Sequence, residues 1–356
     1  MSDQLVQLAY LVAAVLFILG LHNLSSPRTA PRGNMLAAVG MLIAVVATLL
    51  VQEVVDYTVI LAGLVVGSAI GLPLALRIQM TAMPQMVALL NGFGGAASAL
   101  VASAELLGYV RRGESPEGIV PVAIVLGVLI GGMTFTGSLI AFAKLQELMR
   151  GAPITYRGQQ VVNAMFGLGA LALCVGVVLY PFDMNIYAGL VIVALILGVL
   201  TVIPIGGADM PVVISLLNSY SGLAACATGF VLGNSGLVIS GSLVGASGLI
   251  LTKIMCDAMN RSLANVLFSA FGSVTKSTRT PGAADRGTVK GYTPEDAAVI
   301  FSNARSAIVV PGYGMAVAQA QHAVRSLVDE LEQRGVRVKY AIHPVAGRMP
   351  GHMNVL

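Results

Sequence analysis

Nine stretches of near-continuous apolar sequence recur along this chain, at residues 5–21, 35–51, 58–76, 83–109, 119–143, 161–180, 185–203, 211–232 and 237–256. Each is close to the ~20 residues that an α-helix needs to cross a bilayer. In hydrocarbon every backbone N–H and C=O must find its partner inside the protein, so runs of this kind fold as helices. The expectation is a polytopic all-α membrane bundle of nine transmembrane helices. The fourth and fifth stretches are long enough to tilt or to extend past the bilayer. The first run lacks a basic leading segment and a small-residue cleavage site, so it reads as a retained span.

Charge divides the chain. Of 20 basic and 16 acidic residues, 9 and 9 fall within residues 1–256, which leaves 11 and 7 for the last 100. Residues 1–260 are therefore expected to lie in the lipid bilayer and 294–356 to face water, with 261–293 as a polar, breaker-rich linker. A net charge of +4 mixed with acids gives no footprint for nucleic acid. Loops after the odd-numbered spans hold Arg28, Arg32, Arg77, Lys144, Arg150, Arg157 and Lys253, whereas the other side holds only Arg111 and Arg112. The positive-inside rule then places the N-terminus outside and, after an odd number of spans, the last unit in the cytoplasm. Cys174, Cys226 and Cys256 all lie in or at the ends of apolar runs without CxxC spacing, as packing residues do, and no metal is expected.

The spans carry no charge at mid-membrane. Gly92, Gly94, Gly95, Gly127, Gly131, Gly132, Gly137, Gly241, Gly245 and Gly248 suit close helix packing in lipid. Serine and threonine can bond back to their own helix, which is the plain reading for most of them, Ser247 included. Asparagine does so less easily. Asn91 and Asn218 are the candidates for a water-lined path. Asp209, at the start of the eighth span, is either a helix-capping acid or a charge that meets the water-exposed unit.

That last unit opens with Thr293-Pro294-Glu295-Asp296, the start signal of a helix. Ala307–Val310 follows as a short buried strand, then the turn Gly312-Tyr313-Gly314, then residues 316–334 with apolar spacing of one helix face. Gly335 ends that helix, and 336–342 predicts a second strand. Strand, glycine turn, helix, strand is the opening of a dinucleotide-binding unit of Rossmann type. Gly312 would permit the turn, and Gly314 would let a pyrophosphate approach the helix N-terminus. Val317 takes the third fingerprint position, where glycine or alanine is usual. The second strand ends Tyr340-Ala341-Ile342-His343 without the acid that would hold a ribose 2′-hydroxyl, which favours NADP over NAD. Only fourteen residues follow, so the unit is expected to be the first part of a larger domain, cut short.

Two pairs of strings carry a family resemblance: Gly206-Gly207-Ala208-Asp209-Met210-Pro211 with Leu217-Asn218-Ser219-Tyr220-Ser221-Gly222, and 311–321 with 343–354. They resemble the proton-translocating nicotinamide nucleotide transhydrogenase, beta subunit, over the whole chain. The resemblance implies an inner-membrane protein of bacteria, a homodimer of alpha-beta units, and hydride transfer between NAD(H) and NADP(H) coupled to proton movement. NADP(H) would be bound by this subunit and NAD(H) by the partner alpha subunit. Carried over by motif, Gly312, Tyr313, Gly314 and Val317 with the loop Val345, Ala346, Gly347, Arg348, Met349 and Pro350 would hold NADP(H). Arg348 is the one cation of that loop and suits a phosphate. Asn91, Asn218 and Ser247 would line the proton path, and Asp209 and Arg261 would couple the domains. Many relatives carry a histidine where this chain has Asn91, and asparagine cannot titrate, so that relay role does not transfer. No catalytic side chain is expected. The rival reading is a nucleotide-regulated ion channel or secondary transporter, which would call for a selectivity filter or charged midplane groups that the spans lack.

Overall fold

Hydrophobic residues make up 56% of the chain, and the apolar stretches are helical wherever the computed structural model describes them: residues 3–26, 28–50, 57–78, 82–259, 262–268, 293–347 and 351–356. Among the described residues nine helices are long and apolar enough to cross a membrane. They are α1 (Asp3–Leu24), α2 (Ala30–Leu49), α3 (Tyr57–Arg77), α4 (Met83–Arg112), α5 (Val120–Leu145), α6 (Gln159–Leu179), α7 (Met184–Val202), α8 (Met210–Val231) and α9 (Ser235–Ala258). The count matches the sequence expectation and the ends shift by a few residues. α4 runs on to Arg112 because its stop signal is Gly113, left-handed at φ 71°, and Glu114 N–H closes back on the Tyr109 carbonyl at 3.0 Å.

Helices pair where glycine allows backbones to touch. A Cβ on Gly131 of α5 would stand 2.5 Å from the Gly95 carbonyl oxygen of α4. On α9, a Cβ at Gly241 would lie 2.5 Å from the amide nitrogen of Cys226 in α8. In lipid, where no hydrophobic effect drives helices together, such close approach supplies the dispersion contacts that do. Gly94 departs from this pattern and faces open space. α5 and α8 are the most deeply enclosed spans. Ala141, Leu145, Val202, Ile205 and Met210 form a core at one end of the bundle, and Ala102, Leu106, Ile124, Val128 and Leu190 form another. α3 buries none of its residues.

After the short α10 (Leu263–Phe268), the C-terminal part described begins at α11 (Pro294–Ser302). α11 starts on a reciprocal cap between Thr293 and Asp296, as the sequence signal promised. The Glu295 carboxyl, in its first turn, is held below the usual range by a backbone hydrogen bond and by the Thr293 hydroxyl. β1 (Ser306–Val309) and β2 (Arg337–Tyr340) pair in parallel, with Ser306 opposite Arg337 and Val309 opposite Tyr340. β1 is not the buried strand expected: Ile308 is 67% exposed and Val310 beyond it 71%. Two strands, with no further layer on the outer face among the described residues, cannot cover both sides of a strand.

The single helix expected over 316–334 is two: α12 (Tyr313–Val317) and α13 (Gln321–Gln333). Gln319 breaks it in the left-handed region at φ 49°. Ala320 N–H closes on Met315 C=O at 2.9 Å and Gln319 N–H on Ala316 C=O at 3.2 Å, the paired bonds of a helix C-terminus. The apolar spacing survives the break, so the pattern alone could not reveal it. Gly335, at φ 83°, ends α13 as expected. α14 (His352–Val355) closes the chain.

Candidate functional site

Pro311 is buried at the end of β1, and Gly312, Tyr313 and Gly314 stand exposed beyond it. Gly312 has φ −126° and ψ 176°, extended backbone open to any residue, so the turn itself does not require glycine there. What the two glycines provide is room: a Cβ at either would meet nothing within 4 Å. A ligand can therefore reach the main chain at both.

The second half of the expected site is the loop after β2. Gly347 has φ 101°, and a Cβ there would collide with the ring Nδ1 of His352 and lie 2.8 Å from its Cγ. This glycine is required twice, by conformation and by the buried histidine beneath it. Gly351 N–H donates to the Pro344 carbonyl at 2.6 Å, and Ala346 N–H to the His343 carbonyl at 3.1 Å, so the two ends of the loop are pinned together. Val345, Ala346 and Gly347 lie on its described arm. Arg348, Met349 and Pro350 fall outside the described residues, as do Arg261 and most of the expected linker.

Three cavities adjoin the turn. One of about 620 Å³ lies between Met315, Val328, Tyr340 and Met353, with Arg325 and Asp329 at its rim. Asp329, one turn along α13 at 3.1 Å, raises the guanidinium pKa of Arg325. A second, of about 420 Å³, sets Tyr313, Val317 and His352 against Gln85 of α4 and Glu147 just beyond α5. A third, of about 570 Å³, places the same Tyr313 and Val317 opposite Lys144, Arg150 and Gly207. All three volumes fit the range of small-molecule sites. The glycine turn thus stands on the end of the bundle that holds Arg150, one of the cations that the loop-charge count put inside.

Within the bundle, the structure joins Asn91 to α8 one helical turn before Asn218. Asn91, 8% exposed, donates through Nδ2 to the Ile214 carbonyl at 3.2 Å. Ile214 lies one helical turn before Asn218 on α8. Ser138 of α5 packs against Gly92, is fully buried, and its hydroxyl has no partner among the described residues. Ser98 and Thr228 continue the track, with the Thr228 hydroxyl 3.4 Å from the Ser98 carbonyl. Ser247 does not join it, because its hydroxyl donates to Val244 of its own helix at 3.0 Å. Asp209 holds the N-cap position of α8 without a side-chain capping bond.

Sequence reasoning passed over Gln85 and Ser215, and its own-helix reading of span serines fails at Ser219. Gln85 is buried at the foot of α4, bonded through Nε2 to the Leu145 carbonyl at 3.2 Å with Oε1 unpartnered among the described residues. Ser215 and Ser219 reach across to α9, to the carbonyls of Gly248 and Gly245, rather than back along α8. Their signal was the spacing of four, opposite the glycines of α9. Lys144, counted above with the loop cations, is buried in the last turn of α5.

Comparison with known proteins gives a consistent picture. Residues 6–356 match the family model described as NAD(P) transhydrogenase beta subunit. Two relatives named NAD(P) transhydrogenase subunit beta, both from Rhodospirillum rubrum, are 50% identical over 360 residues, covering 100% of this chain and 77% of each relative.

Proposed function

The chain belongs to the NAD(P) transhydrogenase beta subunit family, and from that premise we propose that it couples hydride transfer between NAD(H) and NADP(H) to proton movement across the membrane. The observation that carries this reading is the seat of the glycine turn: Tyr313 and Val317 face the ends of α4 and α5, the two helices that bear Asn91 and Ser138. A nucleotide held on the turn would sit at the end of the polar track.

In this reading the C-terminal unit is the opening of a Rossmann-type domain and binds NADP(H), while the partner alpha subunit binds NAD(H). The bare Cα atoms of Gly312 and Gly314 admit the pyrophosphate to the main chain, and Arg348, by its charge, would take a phosphate. Bound NADP⁺ would supply the hydride-accepting ring; the chain's own residues bind and orient it. Asn91 and Asn218 orient water between α4 and α8 but hold no proton at accessible pH. The titrating group then belongs to the alpha subunit, a membrane histidine packed near both being the natural carrier. Asp209 and Arg261 would relay the state of the nucleotide unit to α8. The assembly is a pair of alpha-beta units in a bacterial inner membrane, N-terminus outside and nucleotide unit in the cytoplasm.

Reduction of an NADP⁺ analogue by NADH is measured with the complex in proteoliposomes, with and without an uncoupler. Stimulation of the rate by the uncoupler, with proton uptake matching hydride transfer, is the expected result. Hydride transfer indifferent to the uncoupler, with no proton movement, would refute the coupled reading.

A further inference from the structure

A charge buried at a membrane edge is unfavourable unless hydrogen bonds replace its water. Lys144 is 3% exposed. Its Nζ donates to the carbonyls of Ile203 and Ile205, the latter at 2.7 Å. These groups stand at and just past the C-terminus of α7, where unpaired carbonyls and the helix dipole attract a cation.

The junction that this ammonium closes is otherwise held by main-chain bonds. Ile154 N–H donates to the Ile203 carbonyl at 3.4 Å, and Gly207 N–H to the Gly151 carbonyl at 2.7 Å. Lys144 therefore fastens the end of α5 and the 146–154 segment to the 203–207 turn, which leads at once into Asp209 and α8. On its other side lies the cavity that Lys144, Arg150 and Gly207 share with Tyr313 and Val317. α8 in turn carries Asn218 and takes the Asn91 bond at Ile214. One ammonium thus joins the floor beneath the glycine turn to the helix of the polar track.

We propose that Lys144 is a positioning residue of the coupled reaction, holding the 203–209 turn in the one register that lets the nucleotide unit bear on Asp209 and α8. The proposal rests on the coupled-transfer reading above. Replacing the ammonium by a neutral group of similar length keeps the packing of the stem and releases both carbonyls. Because Lys144 also borders the cavity under Tyr313 and Val317, affinity is read beside coupling, and a coupling loss that exceeds the affinity loss is what positioning requires.

The test uses the whole complex with its alpha subunit in proteoliposomes and compares K144M, K144Q and K144R. NADPH affinity, uncoupled hydride transfer and protons moved per hydride are read for each. The neutral variants are expected to lose coupled transfer about 10- to 100-fold, the loss that a misplacement near 1 Å brings, and to lose NADPH affinity by clearly less. K144R, which keeps charge and donors, is expected to retain more coupling than either. Neutral variants that pump as the parent does overturn the proposal. So does a set in which K144R is no better than K144M, or in which both neutral variants fail to assemble or lose affinity in parallel with coupling. If the parent complex itself moves no protons, the coupled reading fails instead, whatever the variants do.

Discussion

Gly314→Ala separates what the turn needs for folding from what it needs for a ligand. Gly314 lies within α12, outside the left-handed region, and an added Cβ would meet nothing within 4 Å. In a helix alanine is favoured over glycine by up to ~1 kcal/mol, so the free protein should tolerate the methyl or gain slightly from it. A pyrophosphate drawn against the same main chain would meet that methyl. Overpacking of this kind costs about 1–3 kcal/mol, which corresponds to roughly 5- to 150-fold in affinity. Titration of the detergent-solubilised complex by NADPH fluorescence gives the affinity, and thermal unfolding of the same sample gives the stability. Weaker binding at unchanged or raised stability is the expected pair. Unchanged affinity with an intact fold would mean that no nucleotide lies against this glycine, and the assignment of the turn would fall.

Gly347→Ala should behave in the opposite way, because the free loop already has no room for it. Conformational strain and collision with His352 together cost about 1–3 kcal/mol, read as faster hydrogen exchange over residues 343–356 without nucleotide. Arg348→Ala should weaken NADPH binding by about 1.5–3 kcal/mol, the range for a hydrogen bond to a charged group, and calorimetric titration checks it. Asn218→Leu removes a side chain that makes no hydrogen bond among the described residues; proton uptake linked to hydride transfer should vanish while NADPH affinity holds. Gly131→Ala would force α4 and α5 apart at Gly95 and lower the stability of the solubilised complex by about 1–3 kcal/mol, measured by thermal unfolding.

The number of apolar spans among the described residues was legible from the chain alone. So were the cap at Thr293, the stop at Gly335 and the presence of the two strands, though not their register. These follow from local rules: a ~20-residue apolar run has one fold available in a bilayer, and caps and stops are written within a few residues of where they act. The exposure of Ile308 was not legible, because an apolar strand is read as covered whether or not a second layer is present to cover it.

Which side chains meet inside the bundle was decided only by the tertiary structure. A span surrounded by lipid is apolar all round, so its sequence carries little signal of the face that turns inward. That Asn91 bonds to the Ile214 carbonyl of α8, that Ser219 crosses to α9 while Ser247 does not, and that Ser138 is buried beside Gly92 depend on how helices dock. Lys144 is the clearest instance. In the sequence it is one more cation at the end of a span; the carbonyls of Ile203 and Ile205 that make it a buried fastening lie 59 and 61 residues further along the chain. A partner supplied by the main chain of another helix has no residue type to announce it, and only folding brings it within reach.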